Sequence, residues 1–264
     1  MRILLWLLAA WPLLAATIYN GQTFIIPFHK NYKLYMPHTI IGHLLIIPIS
    51  YNAKPVTRWL RIDGKAVKLQ IKRKRYPKEH LSVAPSKVHP PKSLLKRIAA
   101  EFKEAKRIYA HTTPKSYIIK PFILPIKSAI TDPFGVARLF NGKLASYHSG
   151  TDFRASLGSP LKAINDGVVV LAKMRYYAGG SVIIDHGKGV YSCYYHLSHF
   201  KVESGERVKR GQIIALSGQS GRVTGPHLHL TIKIKGISVD PMQFIDAFNP
   251  AFRTVSSPHL GSKP

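Results

Sequence analysis

Gly225-Pro-His-Leu-His-Leu-Thr-Ile-Lys-Ile234 is the stretch that decides how the second half of this chain folds. From His227 onward polar and apolar residues alternate strictly. A period of two is the signature of a half-buried strand. It places His227 and His229 on one face and turns Leu228 and Leu230 toward a core. Two imidazoles on one face can serve a single metal. Equally, one can bind metal while the other works on a substrate, and the spacing alone leaves both readings open.

Two other segments offer matching chemistry, His148-Ser-Gly-Thr-Asp152 and Tyr194-Tyr-His-Leu197. A catalytic zinc takes a few nitrogen or oxygen ligands and keeps one position open for water. His148 and Asp152 are four apart, a helical spacing. Gly150 and the lack of an apolar stripe argue instead for a loop entering a strand at Thr151. A lone His-x-x-x-Asp is a common chance pattern; the downstream His-x-His gives it weight. His196 closes another apolar strand, and alternation predicts that Tyr194 shares its face. A histidine beside an activated water can orient it, accept its proton or hold a developing oxyanion. The remaining histidines lack ligand-like spacing and are read as structural or solvent-facing.

Around these segments lie further strand-like runs, Gly167–Ala172, Ser181–Asp185, Gly189–His196 and Gln212–Leu216. Glycines punctuate them, including Gly179-Gly180, and are expected at turns. The fold class is therefore mainly β, with a C-terminal antiparallel sheet over residues 113–249. A short helix from Pro241 to Phe248 is expected to close it, and residues 250–264 read as a loose tail.

The first half reads differently. Residues 17–90 hold short β-branched runs and are expected to form a small antiparallel β domain. Asp63-Gly64 supplies the positive φ angles of a tight hairpin turn. Lys72-Arg-Lys-Arg75 reads as a solvated strand end more readily than as a clamp on a polyanion. Val83–Lys92, with Pro85, Pro90 and Pro91, reads as a linker. A helix follows within residues 91–112, capped by Ser93 and running to about Tyr109. Its stripe Leu94, Leu95, Ile98, Phe102, Ala105 and Ile108 predicts a packing face between the two halves.

Composition narrows the setting. The chain has 264 residues, of which 45% are hydrophobic, so a packed core is accessible. A formal net charge of +27 favours a polyanionic surrounding such as nucleic acid, an anionic membrane or a cell-wall polymer. Cys193 is the only cysteine, which excludes an intrachain disulfide and a cysteine zinc site. It lies an odd number of positions from His196 and reads as a small buried hydrophobe facing away from it. Residues 1–16 carry Arg2, an apolar run and small residues at Ala15 and Ala16. That is the pattern of a secretory signal peptide.

The run from about Ile130 to Asp240 resembles the lysostaphin-type, LytM-like zinc metallopeptidases that cut peptidoglycan. The matching text, in order, includes Ile130-Thr-Asp-Pro-Phe-Gly, His148-Ser-Gly-Thr-Asp152-Phe, Gly167-Val-Val, Tyr194-Tyr-His-Leu, Val208-Lys-Arg-Gly-Gln and Ser220-Gly-Arg-Val-Thr-Gly-Pro-His-Leu-His229. The resemblance implies a lipoyl-hammerhead-related β fold and one zinc ion. It implies His148, Asp152 and His229 as metal ligands and His196 and His227 as the catalytic pair. It implies peptidoglycan peptide stems as substrate, in the periplasm or cell envelope of a bacterium. The first half, around Arg75–Val83, is more loosely similar to the β module that precedes such domains in exported relatives, where it can regulate by covering the groove. A non-catalytic wall-binding or amidase-activating role fits an incomplete ligand set, and this one is complete. A lipoyl-type carrier has no use for the histidines, and no nucleic-acid motif accompanies the charge.

Overall fold

The computed structural model describes residues 15–81, 90–140 and 143–256. Nearly all of the expected signal segment, most of the proline-rich linker and the last eight residues of the tail lie outside that range. The first half contains β1 (Ala15–Tyr19), β2 (Thr23–Pro27), β3 (Tyr32–Lys33), β4 (Thr39–Ile41), β5 (Leu44–Pro48), β6 (Val56–Ile62), β7 (Lys65–Lys72) and β8 (Lys78–Leu81). Helix α1 (Lys92–Ala110) follows. The second half contains β9 (Ile130–Asp132), β10 (Ala137–Phe140), β11 (Lys143–Tyr147), β12 (Thr151–Arg154), β13 (Pro160–Lys162), β14 (Gly167–Arg175) and β15 (Gly179–Asp185). It continues with β16 (Val190–Leu197), β17 (His199–Phe200), β18 (Arg207–Val208), β19 (Ile213–Leu216), β20 (His227–Ile234), β21 (Ile237–Val239) and helix α2 (Pro241–Ser256). Among the described residues no helix is long and apolar enough to cross a membrane.

The central sheet runs β18-β14-β15-β16-β20-β12-β9, with β21 on β20. Its pairings are all antiparallel, as expected. One face carries Leu228, Leu230, Ile232 and Ile234 into the main core with Phe244 and Phe248 of α2. The other face carries Leu171, Ile183, Tyr191 and Cys193, against which Ile108 and Tyr109 of α1 pack.

The first half is also mainly β, but two pairings are parallel: β1 with β7, and β8 with β10 of the second half. The β6–β7 hairpin turns at Asp63 and Gly64, with φ of 48° and 79°, as the sequence predicts. Lys72 to Arg75 are exposed. The apolar run of β5 is buried along its whole length because both its faces are covered. Leu45 and Ile47 enter the core of the first half, while Leu44 and Ile46 enter the main core.

Three local expectations are corrected. Pro91, not Ser93, is the N-cap of α1, and no side chain caps it. Proline cannot donate a backbone N–H, so Pro91 closes the extended segment and the helix opens at Lys92. The apolar stripe of α1 does not lie between the halves. Ile98 and Ala105 are buried, yet Phe102 is 61% exposed and Leu95 49% exposed. Finally, α2 runs through Pro250 to Ser256, so the tail begins later than the serines and prolines suggest. Phe252 stacks on Phe248 at 5.3 Å, and Val255 continues the same apolar face.

His186 is fully buried, its Nδ1–H donating to the Asp166 carbonyl at 2.7 Å and its Nε2 meeting Ser192 Oγ at 2.8 Å. Burial disfavours its charged form and pushes its pKa down to about 4. The unfolded value is near 6.5, so between these limits the unfolded chain binds more protons and stability rises with pH. This contribution is full above about pH 6.5 and falls by about 3 kcal/mol toward pH 4. Urea unfolding at stepped pH is expected to show that slope in the wild type and a shallower one in His186→Gln.

Candidate metal centre

The registers of three strands build the centre. In the β12–β20 ladder Asp152 lies directly opposite His229 and Arg154 opposite His227. In the β16–β20 ladder Tyr195 lies opposite His229. Alternation along β20 then keeps His227 and His229 on this face while Leu228 and Leu230 are fully buried behind it. His148 arrives from the loop between β11 and β12, as the sequence predicts, and is buried. That loop passes so close to β20 that only glycine fits at 150. A Cβ there would lie 2.5 Å from His229 Nε2.

Three atoms converge. His148 Nε2 lies 3.0 Å from Asp152 Oδ1 and 2.9 Å from His229 Nδ1, and His229 Nδ1 lies 2.8 Å from Asp152 Oδ1. The outer nitrogens are occupied. His148 Nδ1–H donates to the Pro133 carbonyl at 2.9 Å, and His229 Nε2 meets Thr231 Oγ1 at 2.9 Å. With Nδ1 protonated, His148 aims a lone pair at the carboxylate. In the matching tautomer His229, donating to Thr231, does the same. Such a triangle calls for a cation at its centre. Its edges are a few tenths of an ångström shorter than the ~3.3 Å between ligands of a tetrahedral zinc, a gap that small side-chain rotations close. Burial raises the Asp152 pKa, but without a cation the inward nitrogens of His148 and His229 can instead carry protons and donate to Asp152; this outweighs the effect of burial and holds the carboxyl well below the usual range. Burial lowers the pKa of His229 despite the neighbouring Asp152, which suits a neutral ligand.

His196 and His227 stand beside this triangle. Their ring centroids are 4.9 Å apart, and His196 is 6.0 Å from His229. His227 Nε2 is 3.7 Å from Asp152 Oδ2. Each ring donates its Nδ1–H to a carbonyl, His196 to Ser220 and His227 to Gly225, both at 2.9 Å. Carbonyls only accept, so both tautomers are fixed and both Nε2 atoms remain as bases. Burial, with the His229 and His227 rings close by, pushes the His196 pKa down to about 3.

The five residues singled out from sequence therefore meet at one place. The face assignment for Tyr194 is overturned. Between Val182↔Tyr194 and Gly180↔Leu197, β15 advances two residues and β16 three, a β-bulge. His196 takes φ of 64° within it. The bulge swings the imidazole onto the His229 face, whereas Tyr194 stays in the core with its hydroxyl accepting the Ile164 N–H at 2.9 Å. Tyr195, not Tyr194, stacks on His229, with centroids 5.5 Å apart and planes at 27°. Cys193 is buried as expected, but it shares the Tyr195 face and meets Tyr109 Oη at 3.4 Å. Gly179, with φ of 63°, closes the hairpin turn between β14 and β15 as the sequence predicts, while Gly180 lies within β15. A Cβ at 180 would collide with the Leu197 backbone.

Sequence reading also missed the support around the ligands. Arg138 ties Asp132 at 2.7 Å and approaches Asp152 at 3.9 Å, and Asp132 Oδ2 is 3.3 Å from His148 Nδ1. Thr231 was available as the next same-face residue after His229. Nothing local marked Arg138.

A buried imidazole–imidazole–carboxylate triangle with two free imidazole bases at its edge, carried on an antiparallel sheet, defines a metallopeptidase class of centre. Residues 146–241 match peptidase family M23. Peptidoglycan DD-endopeptidase ShyA of Vibrio cholerae is 46% identical over 101 residues, covering 38% of this chain and 24% of that protein. The chain thus spans about a quarter of the length of this curated relative. A crystal structure from Pseudomonas aeruginosa, assigned to peptidase M23, matches with TM-score 0.65 and 25% identity over 87% of this chain and 95% of that one. The catalytic domain of the antimicrobial peptidase lysostaphin from Staphylococcus simulans is 34% identical over 45% of this chain and 92% of its own length, with TM-score 0.40. The chain carries a domain of peptidase family M23, a zinc metallopeptidase family, over residues 146–241.

Asp152→Ala is expected to purify with almost no zinc by atomic absorption. Thr231→Val, which removes only the hydroxyl behind His229, is expected to weaken zinc about 10- to 100-fold in a chelator competition.

Proposed function

We propose that this chain is an exported zinc-dependent endopeptidase that hydrolyses peptide cross-links of bacterial peptidoglycan, with the D-Ala to diaminopimelate bond as its target. The observation that carries this reading is the complete set: three converging ligand atoms and two tautomer-fixed imidazole bases on one sheet face. Likeness to a relative named as a peptidoglycan DD-endopeptidase supports the substrate class. The apolar start of the chain and its +27 charge agree with action in the periplasm or cell envelope, on an anionic wall.

His148, Asp152 and His229 would hold the zinc. When bound, zinc supplies Lewis acidity there, polarising the scissile carbonyl and acidifying a water. The chain's own groups do the rest. His196 Nε2 and His227 Nε2 are unprotonated acceptors facing the ligand triangle, so either can take the proton of the attacking water. Once protonated, the same nitrogen becomes a donor to the oxyanion. The carbonyls of Ser220 and Gly225 hold each Nδ1–H throughout, which keeps both rings aimed.

A Gly-Gly bond is the alternative target. A non-catalytic wall-binding or amidase-activating role is opposed by the intact set. His196→Ala is expected to keep one zinc per chain while losing about 10²- to 10⁴-fold in turnover. Mass spectrometry of muropeptides released from purified sacculi checks both activity and bond. Undiminished cleavage by Asp152→Ala would sink the assignment.

A further inference from the structure

A cleft of about 660 Å³ lies between α1 and the sheet face that carries the metal ligands. Tyr195 is shared: it stacks on His229 and also lines the cleft. The volume is in the range that accepts a short peptide or a comparable small ligand. Most of its wall is aromatic or aliphatic, but Lys233, Lys235 and Arg175 also line it.

These cations lack a counter-charge. Among the described residues none of the three forms an ion pair with a carboxylate. The carboxylate of Glu101, on the same cleft, is already engaged. Its Oε1 accepts Arg97 Nε–H at 2.9 Å and its Oε2 accepts the Tyr176 N–H at 2.8 Å. Lys233 Nζ donates to Ser238 Oγ at 2.6 Å and sits 4.8 Å from the Tyr109 ring centroid. An ammonium has three donors, so it retains capacity after that bond. Burial lowers its pKa with no carboxylate to offset the effect, so an anion arriving in the cleft would be met by an under-compensated charge. Arg175 is buried, held through its guanidinium to the Glu101 carbonyl at 3.0 Å, and its Nε has no partner.

Lys233 stands four residues after His229 on β20, on the same face. At about 3.3 Å per residue that is about 13 Å along the strand, or about four residues of an extended peptide.

We propose that this cleft is a subsite for a carboxylate of the substrate peptide, about four residues from the scissile bond, with Lys233 and Lys235 supplying the charge. The inference rests on the reading above that the substrate is a peptidoglycan peptide. It makes charge complementarity beside the metal, and not the metal alone, a determinant of which stems are held.

The test titrates the full-length, zinc-stripped protein by calorimetry with a synthetic D-Ala-diaminopimelate cross-linked peptide. The peptide is used as the free acid and with its carboxylates amidated. The wild type is expected to bind the acid about 10-fold more tightly. Lys233→Gln and Lys235→Gln are each expected to lose most of that preference while binding the amide as the wild type does. Lys235 is only partly buried, so its variant keeps the test open should Lys233→Gln fail to fold. Equal affinity for both peptides in the wild type, or a preference surviving in Lys235→Gln and in a folded Lys233→Gln, overturns the subsite. Zinc-loaded wild type acting on sacculi separates the two readings. Hydrolysis without acid preference removes the subsite alone, whereas neither hydrolysis nor binding removes both.

Discussion

The structure turns on one electrostatic requirement. Asp152 Oδ1 faces His148 Nε2 and His229 Nδ1 at 2.8–3.0 Å in a buried setting. The His148 lone pair is fixed there by the Pro133 carbonyl, and the His229 tautomer that donates to Thr231 adds a third acceptor. An arrangement of acceptors with no donor is unfavourable unless a cation sits among them. The rest of the sheet can be understood as what holds that triangle in place. Asp152 and His229 are cross-strand partners, so the register of β12 on β20 sets their separation. A slip of one residue would send both to the core face and bring Leu228 and Leu230 out. The fully buried leucines therefore lock the candidate ligands as firmly as any contact at the site itself.

The two candidate imidazole bases are placed by different means. His227 follows the alternation of β20 without irregularity. His196 does not, because a strand in plain register would point it away from His229. The bulge in β16 supplies one extra residue and a left-handed backbone at position 196. A non-glycine residue held there costs about 1–3 kcal/mol. Several bonds offset it: the His196 N–H to the Ala178 carbonyl, Ser220 Oγ to the Leu197 carbonyl, and Gly180 N–H to Ser220 Oγ. Each requires close approach of three backbones, which is why glycines cluster at 179 and 180 beside β16. Gly179 thus ends the hairpin turn and, with Gly180, also permits this close approach.

This difference explains what was legible from sequence. Alternation along His227–Ile234 is a property of a regular strand, and its faces were read correctly. The convergence of five residues from three segments was legible because their chemistry has few other uses together. The exchange of Tyr194 for Tyr195 was not, since a bulge leaves no mark in the polar pattern of Val190–Leu197. Nor was the extent of α2. Pro250 and Ser256–Ser257 look like an ending, yet Phe244, Phe248 and Phe252 continue one helical face across the proline. The stripe of α1 was read as a domain interface because spacing reports that a face is apolar, not what lies against it. Half of that stripe borders the cleft instead.

The same limit applies to the first half of the chain, whose composition suggested a separate domain. Ile41, Leu44 and Ile46 are part of the main core, next to Phe122 and Phe153. Tyr51 stacks face to face on Tyr147 at 3.8 Å, immediately before His148. Gln243 of α2 exchanges two hydrogen bonds with the backbone of Thr23. Burying three such aliphatic side chains is worth about 1.5–3 kcal/mol each. A module attached in this way cannot swing off the site as a rigid lid without opening the core that sets the register of β20. Among the described residues one ion pair joins α1 to the sheet, the half-exposed Lys173 with Glu104 at 2.7 Å. Such a pair contributes little, about 0–1 kcal/mol, and weakens with salt. The firmer anchors of the helix are Ile98 and Ala105, Tyr109, whose hydroxyl meets Tyr195 Oη at 3.0 Å, and the Glu101 carbonyl, which accepts from Arg175 at 3.0 Å. The element that borders the candidate subsite is thus tied to the sheet through the same Tyr195 that stacks on His229.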